Sequence, residues 1–180
     1  MDFMIYRALI DEILDTYRPQ IGADFLGLRN HCQRVFSFCT QLSKDATSDD
    51  LECFAIATAF HDLGIWVDKT FDYIEPSVSL AVRHLQQQGR ASWIPDVVEM
   101  IRDHHKIHNN ASHHKKRSEV FRKADWIDVS FGIRRFGISR NKVSEVRASL
   151  VNAGFHRCLM RLTWTRFKKH PLSPLPMMRF

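Results

Sequence analysis

Apolar residues recur every three or four positions along most of this chain, which is the spacing of one face of an α-helix. The period-two alternation of strands is hard to find, and no Asn-Gly or Asp-Gly hairpin turn occurs. The pattern predicts an all-α fold, a bundle of about seven to eight helices. The predicted segments are 2–17, 22–43, 48–63, 76–88, 94–108, 117–131, 141–153 and 155–169.

Residues typical of helix ends support these boundaries. The stretch "TSDD" offers N-caps before Leu51, and Pro76 and Pro95 stand where a first helical turn tolerates proline. Gly64 and Gly89 suit C-terminal caps. The polar stretch "HNNASHHKKR" is predicted to be an exposed loop, and "HPLSPLPMMRF" an extended arm. We therefore expect one domain over 1–170, followed by a tail over 171–180.

Composition adds limits on the class of protein. A chain of 180 residues with 44% apolar residues can build one sizeable core. No apolar run approaches the roughly 18 residues that span a bilayer, and the first residues carry acids rather than a basic segment. We expect a cytoplasmic protein without membrane contact. Four cysteines without CxxC spacing are expected to fill the core.

Titratable residues interrupt the apolar stripes on several predicted helices. His31 lies in the stripe of Leu28 and Val35, and Asp128 lies one turn after another inward-facing aspartate. A lone residue of this kind is usually a hydrogen-bonded core residue. Burying so many together requires several separate partners or one shared cation. The full set is His31, His61, Asp62, His84, His104, His105, Asp125 and Asp128.

One or two divalent cations would compensate the whole set, because neutral imidazoles and carboxylates are good metal ligands. A mixed His/Asp set without thiolates suits Mn, Fe, Co, Ni or Zn, with Mg possible, and argues against a structural cysteine-type zinc site. Neighbouring residues point about 100° apart on a helix, so His61 and Asp62 can approach one metal from two sides or reach two metals.

At these residues the chain resembles the HD-domain superfamily of metal-dependent phosphohydrolases. The resemblance covers about 25–130 and rests on four residues in order, with the doublet inside "FHDLG": His31, His61, Asp62 and Asp125. It implies an HD-domain-like helical bundle that binds metal through these residues. The "HHExxDGxGYP" pattern of the cyclic-di-GMP branch is absent, since "HHKIHNN" stands there. That substrate is not predicted.

Part of the superfamily holds a second metal through two further histidines. The resemblance implies this role for His84 and His104, with His105 as a close competitor, and makes Asp62 the candidate bridge between two metals. The family often has lysine or glutamate just after "HDxG", whereas Ile65 and Trp66 follow here. The acid or base of the reaction is therefore not fixed by position.

The expected activity is hydrolysis of a phosphoester of a nucleotide or other small phosphorylated metabolite, because a divalent ion activates water and polarises a phosphoryl oxygen. The catalytic candidates are Asp62, Asp128 and Lys106, and the substrate-binding candidates are Arg102, Lys69 and Lys123. An HD-type mixed-valent di-iron oxygenase and a non-catalytic metal- or nucleotide-binding module remain alternatives. Despite a net charge of +6, nucleic acid is an unlikely partner, and the oligomeric state stays open.

Overall fold

The computed structural model describes residues 3–106 and 116–171, and this part of the chain contains helices and no strand. Eight helices have ten residues or more: α1 (Met4–Thr16), α3 (Phe25–Leu42), α4 (Ser48–Phe60), α6 (Ile74–Gln87), α7 (Ile94–Asp103), α8 (Lys116–Val129), α9 (Arg140–Ser149) and α10 (Phe155–Lys169). Two single turns of helix complete the order: α2 (Arg18–Ile21) and α5 (Gly64–Val67). The predicted all-α bundle is confirmed.

Each long helix lies within one of the predicted segments or within two residues of it. The largest difference is at α7, which ends at Asp103 rather than at residue 108. Three residues after the end of α7, Arg122 donates to the carbonyl of Lys106 at 3.0 Å. Most of the predicted loop and tail, residues 108–115 and 172–180, lie outside the described residues.

The predicted cap at "TSDD" is present as a capping box. The hydroxyl of Thr47 accepts from the backbone N–H of Asp50 at 3.2 Å, and the Asp50 carboxylate accepts from the N–H of Thr47 at 2.8 Å. Gly89 follows α6 with φ of +67° and terminates that helix as expected. These local rules need only neighbouring residues, which explains why the sequence predicts them.

The predicted C-terminal cap at Gly64 is wrong, because Gly64 begins α5 instead of capping α4. A Cβ atom on Gly64 would lie 2.7 Å from the Tyr73 carbonyl oxygen and 2.9 Å from the Pro76 Cβ. The Gly64 N–H also donates to the Ser77 hydroxyl at 3.0 Å. Glycine is needed here because the start of α6 packs directly on the backbone that follows the His-Asp doublet.

The centre of the bundle is formed by α3 and α4. Helix α3 packs against α1, α4 and α8, and α4 also contacts α6 and α7. Both helices are buried on nearly every side along their central turns. Polar residues on α3 and α4 therefore face other helices rather than water.

No described helix is both long and apolar enough to cross a membrane.

The four cysteines are free and buried, as the sequence predicts. Cys32 and Cys39 are completely buried, and burial raises the pKa of both thiols well above the usual value. They remain neutral thiols and act as small core residues. None of the three potential ligand groups described below contains a cysteine.

Candidate metal centre

The histidine and aspartate side chains meet where α3, α4, α7 and α8 come together. His31 is supplied by the middle of α3, the doublet follows the last turn of α4, one histidine follows α7, and one aspartate comes from α8. Each is at least 95% buried: His31, His61, Asp62, His104 and Asp125. Burial at this level requires that every charge be compensated inside the protein.

The distances between these side chains are those of a single compact group. The Nε2 atoms of His31 and His61 are 3.0 Å apart. Asp125 Oδ1 lies 3.5 Å from His31 Nε2 and 3.8 Å from His61 Nε2. Asp62 Oδ2 lies 3.4 Å from His61 Nε2, while its Oδ1 lies 3.7 Å from His104 Nε2. The two oxygens of Asp62 thus face different histidines.

Each of the three buried histidines has its Nδ1 atom held by an acceptor outside the group. His31 Nδ1 donates to the Asp128 carboxylate at 2.7 Å, His61 Nδ1 to the carbonyl of Thr58 at 2.8 Å, and His104 Nδ1 to the carbonyl of Ile101 at 2.6 Å. A proton on Nδ1 leaves a lone pair on Nε2 in the neutral ring. All three lone pairs therefore point to the centre of the group, the usual arrangement of metal-binding histidines.

Asp128 is itself fixed by arginines. Arg34, which is fully buried on α3, donates to both Asp128 oxygens at 2.6 and 2.8 Å. Arg147 of α9 donates to Oδ1 at 3.1 Å. Burial disfavours the ionised carboxylate, but the hydrogen bonds from His31 and Arg34 outweigh it and lower the pKa of Asp128 below its ordinary value. The Asp128 carboxylate orients His31 and is occupied by its partners, so we do not assign it a proton-transfer role.

The donor set fits a divalent cation. His104 Nε2 is buried and has no hydrogen-bond partner within the described protein. Two imidazole nitrogens 3.0 Å apart, each with its proton on the far side of the ring, repel unless a cation lies between them. Three groups hold ligand atoms within 4.8 Å of one another: His31 with His61 and Asp125, His61 with Asp62 and His104, and His104 with His105 and Asp125. These groups share members and suit one or two ions.

The electrostatics of the group reflect crowding and burial. Burial lowers the pKa of His61 to about 3, so this ring is neutral and able to bind a metal. Burial raises the pKa of Asp125 to about 6, against the opposing effect of His104 and His31. Burial also disfavours ionised Asp62, but the neighbouring histidines outweigh it and keep its pKa well below the usual value. Asp62 is therefore the carboxylate held ionised by its surroundings.

His105 and Tyr73 form the outer edge of the group. The Tyr73 hydroxyl is 2.6 Å from His105 Nε2. Burial and the nearby Asp62 raise the pKa of Tyr73 well above its usual value, so its hydroxyl keeps its proton. His104 is completely buried in the group and His105 lies beside it at the edge, although the sequence presents them as competitors for one position. Their rings are 3.9 Å apart.

His84 is not part of the centre. It is half-buried on α6, with its ring 5.2 Å from the ring of Phe60, and it lines a different cavity together with Glu12 and Arg83. The structure therefore places His84 apart from the group that contains His104 and His105.

The four basic candidates lie outside the cavity above the centre. Arg102 donates to Glu75 at 2.8 and 2.7 Å on the surface. Lys106 pairs with Asp103 at 2.8 Å, and Lys123 with Glu119 at 3.2 Å. Lys69 is exposed and lines another cavity beside Trp66 and Arg161. Proximity in sequence to the ligands does not bring these charges to the centre.

Sequence reasoning missed three residues that support the centre. Arg34 lies one helical turn after His31, and nothing in the sequence indicates that its partner is on α8. Tyr73 precedes α6 in an irregular segment, and Phe155 stacks on the His31 ring with 4.0 Å between ring centroids. A buried arginine in an apolar stripe is the one available sign, since it requires a buried acid.

A cavity of about 660 Å³ opens onto the centre. Its deep end is formed by Asp62 and Asp125, with Tyr73 and His105 beside them, and its outer walls come from aromatic and aliphatic side chains of α8 and α10. A cavity of this size accommodates a small molecule. A ligand in it would contact both carboxylates.

Helical architecture and a buried histidine–aspartate centre together define an all-α protein with groups that could hold a metal ion beside a cavity of ligand size. Comparison with known families agrees with this class, because the HD domain model matches residues 28–130, more than half of the chain. The chain belongs to the HD-domain family. Comparisons with curated proteins and with solved structures find no match.

Proposed function

We propose that this protein is a metal-dependent phosphohydrolase that cleaves the phosphoester of a small organic molecule. The observation that carries the proposal is the convergence of three Nε2 lone pairs and two carboxylates at the closed end of a ligand-sized cavity. The membership of the chain in the HD-domain family supports the same reaction class. Asp62, facing histidines with both oxygens, is the proposed bridge if two ions bind.

The proposed ligands are His31, His61, Asp62, His104, His105 and Asp125. A bound divalent cation supplies a Lewis acid for the phosphoryl group and lowers the pKa of water. Mn, Fe, Co, Ni and Zn all suit such a set, with Mg possible. The protein's part is to hold the ligand side chains in place, because four helices supply them and Phe155 stacks on the His31 ring.

The other polar groups of the cavity have roles in orienting the substrate. Tyr73 keeps its hydroxyl proton, so it is the proposed hydrogen-bond donor to a phosphoryl oxygen. His105 Nε2 lies 2.6 Å from that hydroxyl oxygen and is the proposed donor to it, which leaves the Tyr73 proton for the substrate and the Nδ1 lone pair of His105 for a metal. Asp128 is a positioning residue that acts through His31. Lys106, Arg102, Lys69 and Lys123 are given no part in this proposal.

The test is phosphate release by protein stripped of metal and reloaded separately with Mn, Co, Ni, Zn, Mg or ferrous iron. The substrates are phosphomonoesters, phosphodiesters and nucleotides. We expect turnover with at least one metal and its loss in His61→Ala and Asp62→Asn. His84→Ala is the matched control, because that histidine lies on the other side of α6 and should leave turnover intact.

Three outcomes would contradict the proposal. Turnover that persists in His61→Ala would place the reaction elsewhere. Absence of phosphate release with every metal, together with visible absorption by a bound iron pair, would favour the oxygenase alternative, since a zinc, magnesium or manganese(II) hydrolase is essentially colourless. Metal and nucleotide binding without any product would favour a binding module.

A further inference from the structure

The cavity above the metal centre changes character from its deep end to its mouth. The two carboxylates lie at the deep end, and the outer walls are mostly apolar, with His156 and Thr163 as their polar members. The largest apolar side chains of the walls are Phe71, Trp126, Phe131, Met160, Trp164 and Phe167. Among the described lining residues there is no lysine or arginine. A ligand in this cavity meets negative charge at one end and mostly apolar surface along the rest.

We propose that the substrate is the phosphate monoester of a large apolar alcohol, with the phosphate at the carboxylate end and the organic group along α10. This inference rests on the proposed function and specifies its substrate class. In the reaction, a water oxygen forms a bond to phosphorus, and the ester P–O bond breaks. Its electron pair passes to the alcohol oxygen, which takes up a proton, so the products are inorganic phosphate and the apolar alcohol.

Without such a ligand, the apolar walls would be exposed to water, which is unfavourable. Trp164 is 59% exposed, Met160 65% and Phe167 42%, all on the cavity side of α10. Contiguous exposed apolar surface of this kind marks a binding site in a folded protein. An apolar organic group would cover it, whereas a second phosphate would lose water there without finding a lysine or arginine among the described lining residues.

Charge distribution argues against polyphosphate substrates. The phosphates of such a molecule need cations along their length. Around this cavity, Lys106 and Lys123 are already paired with Asp103 and Glu119 respectively, and neither lines its wall. One phosphate group can be neutralised at the metal centre, but a chain of phosphates would extend into apolar surroundings.

The first experiment measures binding without turnover. Metal-loaded protein is titrated calorimetrically with ethyl-, butyl-, hexyl- and octylphosphonate, which cannot be hydrolysed, each below its micelle-forming concentration. Burial of each added methylene should tighten binding roughly fourfold until the walls are covered. The gain in affinity per methylene should be smaller in Trp164→Ala. Ile5→Ala is the control, because Ile5 is 67% exposed on α1, away from the cavity.

The second experiment measures phosphate release from the matching alkyl phosphates and from a nucleoside monophosphate. A rise in kcat/KM with chain length, reduced in Trp164→Ala, is the expected result. Equal phosphonate affinities along the series, or preference for the nucleotide, would overturn the inference even if hydrolysis is robust. Rising phosphonate affinity without hydrolysis of any ester would instead leave the apolar ligand class standing and remove the proposed hydrolase function.

Discussion

The Nε2 atoms of His31 and His61 lie 3.0 Å apart, although the two rings come from different helices and neither nitrogen carries the proton of the neutral ring. Such an approach is unfavourable in the absence of a shared positive charge. The helices α3 and α4 nevertheless hold both rings by their Nδ1 atoms, at Asp128 and at the carbonyl of Thr58. We expect a cation between the two nitrogens to relieve this repulsion, so the metal-free fold should be the less stable form.

Metal removal should therefore lower thermal stability. Bound metal stabilises the folded state by about 2.7 kcal/mol at a hundredfold excess over its dissociation constant, which corresponds to roughly 5–10 °C in the melting temperature of a protein of this size. Calorimetry of the metal-loaded and the chelated protein measures this. If the melting temperature is unchanged after elemental analysis confirms metal loss, the centre is not the binding site.

Separate substitution of His104 and His84 should distinguish a histidine that binds metal from one that does not. His104→Ala removes a buried Nε2 that faces Asp62, so metal per chain should fall by up to one ion. His84→Ala should keep the metal content of the wild type, because His84 lies against Phe60 beside another cavity. Elemental analysis of both variants decides this. Loss of an ion in His84→Ala would restore the assignment made from sequence.

Asp128→Asn should weaken metal binding although Asp128 is not a proposed ligand. The carboxylate orients His31, and loss of such a partner typically costs 10- to 100-fold in metal affinity. It also leaves Arg34 buried without its counter-charge, which costs about 3–5 kcal/mol of unfolding free energy. The double variant Arg34→Met with Asp128→Asn should recover much of that stability but not the metal affinity. Full recovery of affinity would refute the orienting role.

Acid should destabilise the metal-free protein partly through Asp128. Its pKa is lowered in the folded state, so the unfolded chain binds the proton more readily and the stabilising contribution is lost as pH falls below about 4, the ordinary pKa of aspartate. Urea unfolding between pH 3 and pH 6 should show a steeper loss for wild type than for Asp128→Asn. Parallel curves would mean that the Arg34–Asp128 pair does not govern acid stability.

Gly64→Ala should disturb the backbone next to the doublet. The new Cβ would lie 2.7 Å from the Tyr73 carbonyl oxygen, which is closer than packed atoms tolerate, so we expect a loss of about 1–3 kcal/mol and reduced activity. Gly89→Ala is the matched control, because no atom lies within 4 Å and only the φ of +67° is strained. Its cost should be about 1 kcal/mol without effect on activity per folded molecule. Equal effects on activity would rule out the proposed close contact as the cause.

Sequence by itself determined the helices and half of the centre. Helical periodicity and caps such as Thr47 with Asp50 depend on residues within one or two turns, so they can be read locally. The buried positions of His31, His61, Asp62 and Asp125 also followed, because an apolar stripe leaves only the core as their destination.

Tertiary structure decided what depends on angles between helices. It brought His104 and His105, which follow the end of α7 at Asp103, to the same group, and it placed His84 beside another cavity. It likewise joined Arg34 to Asp128, which lies 94 residues away in the chain, and lined the cavity with side chains of α10. Periodicity fixes the face of a helix that a residue occupies, but the neighbour across that face is set by how the helices pack, and no local pattern encodes it.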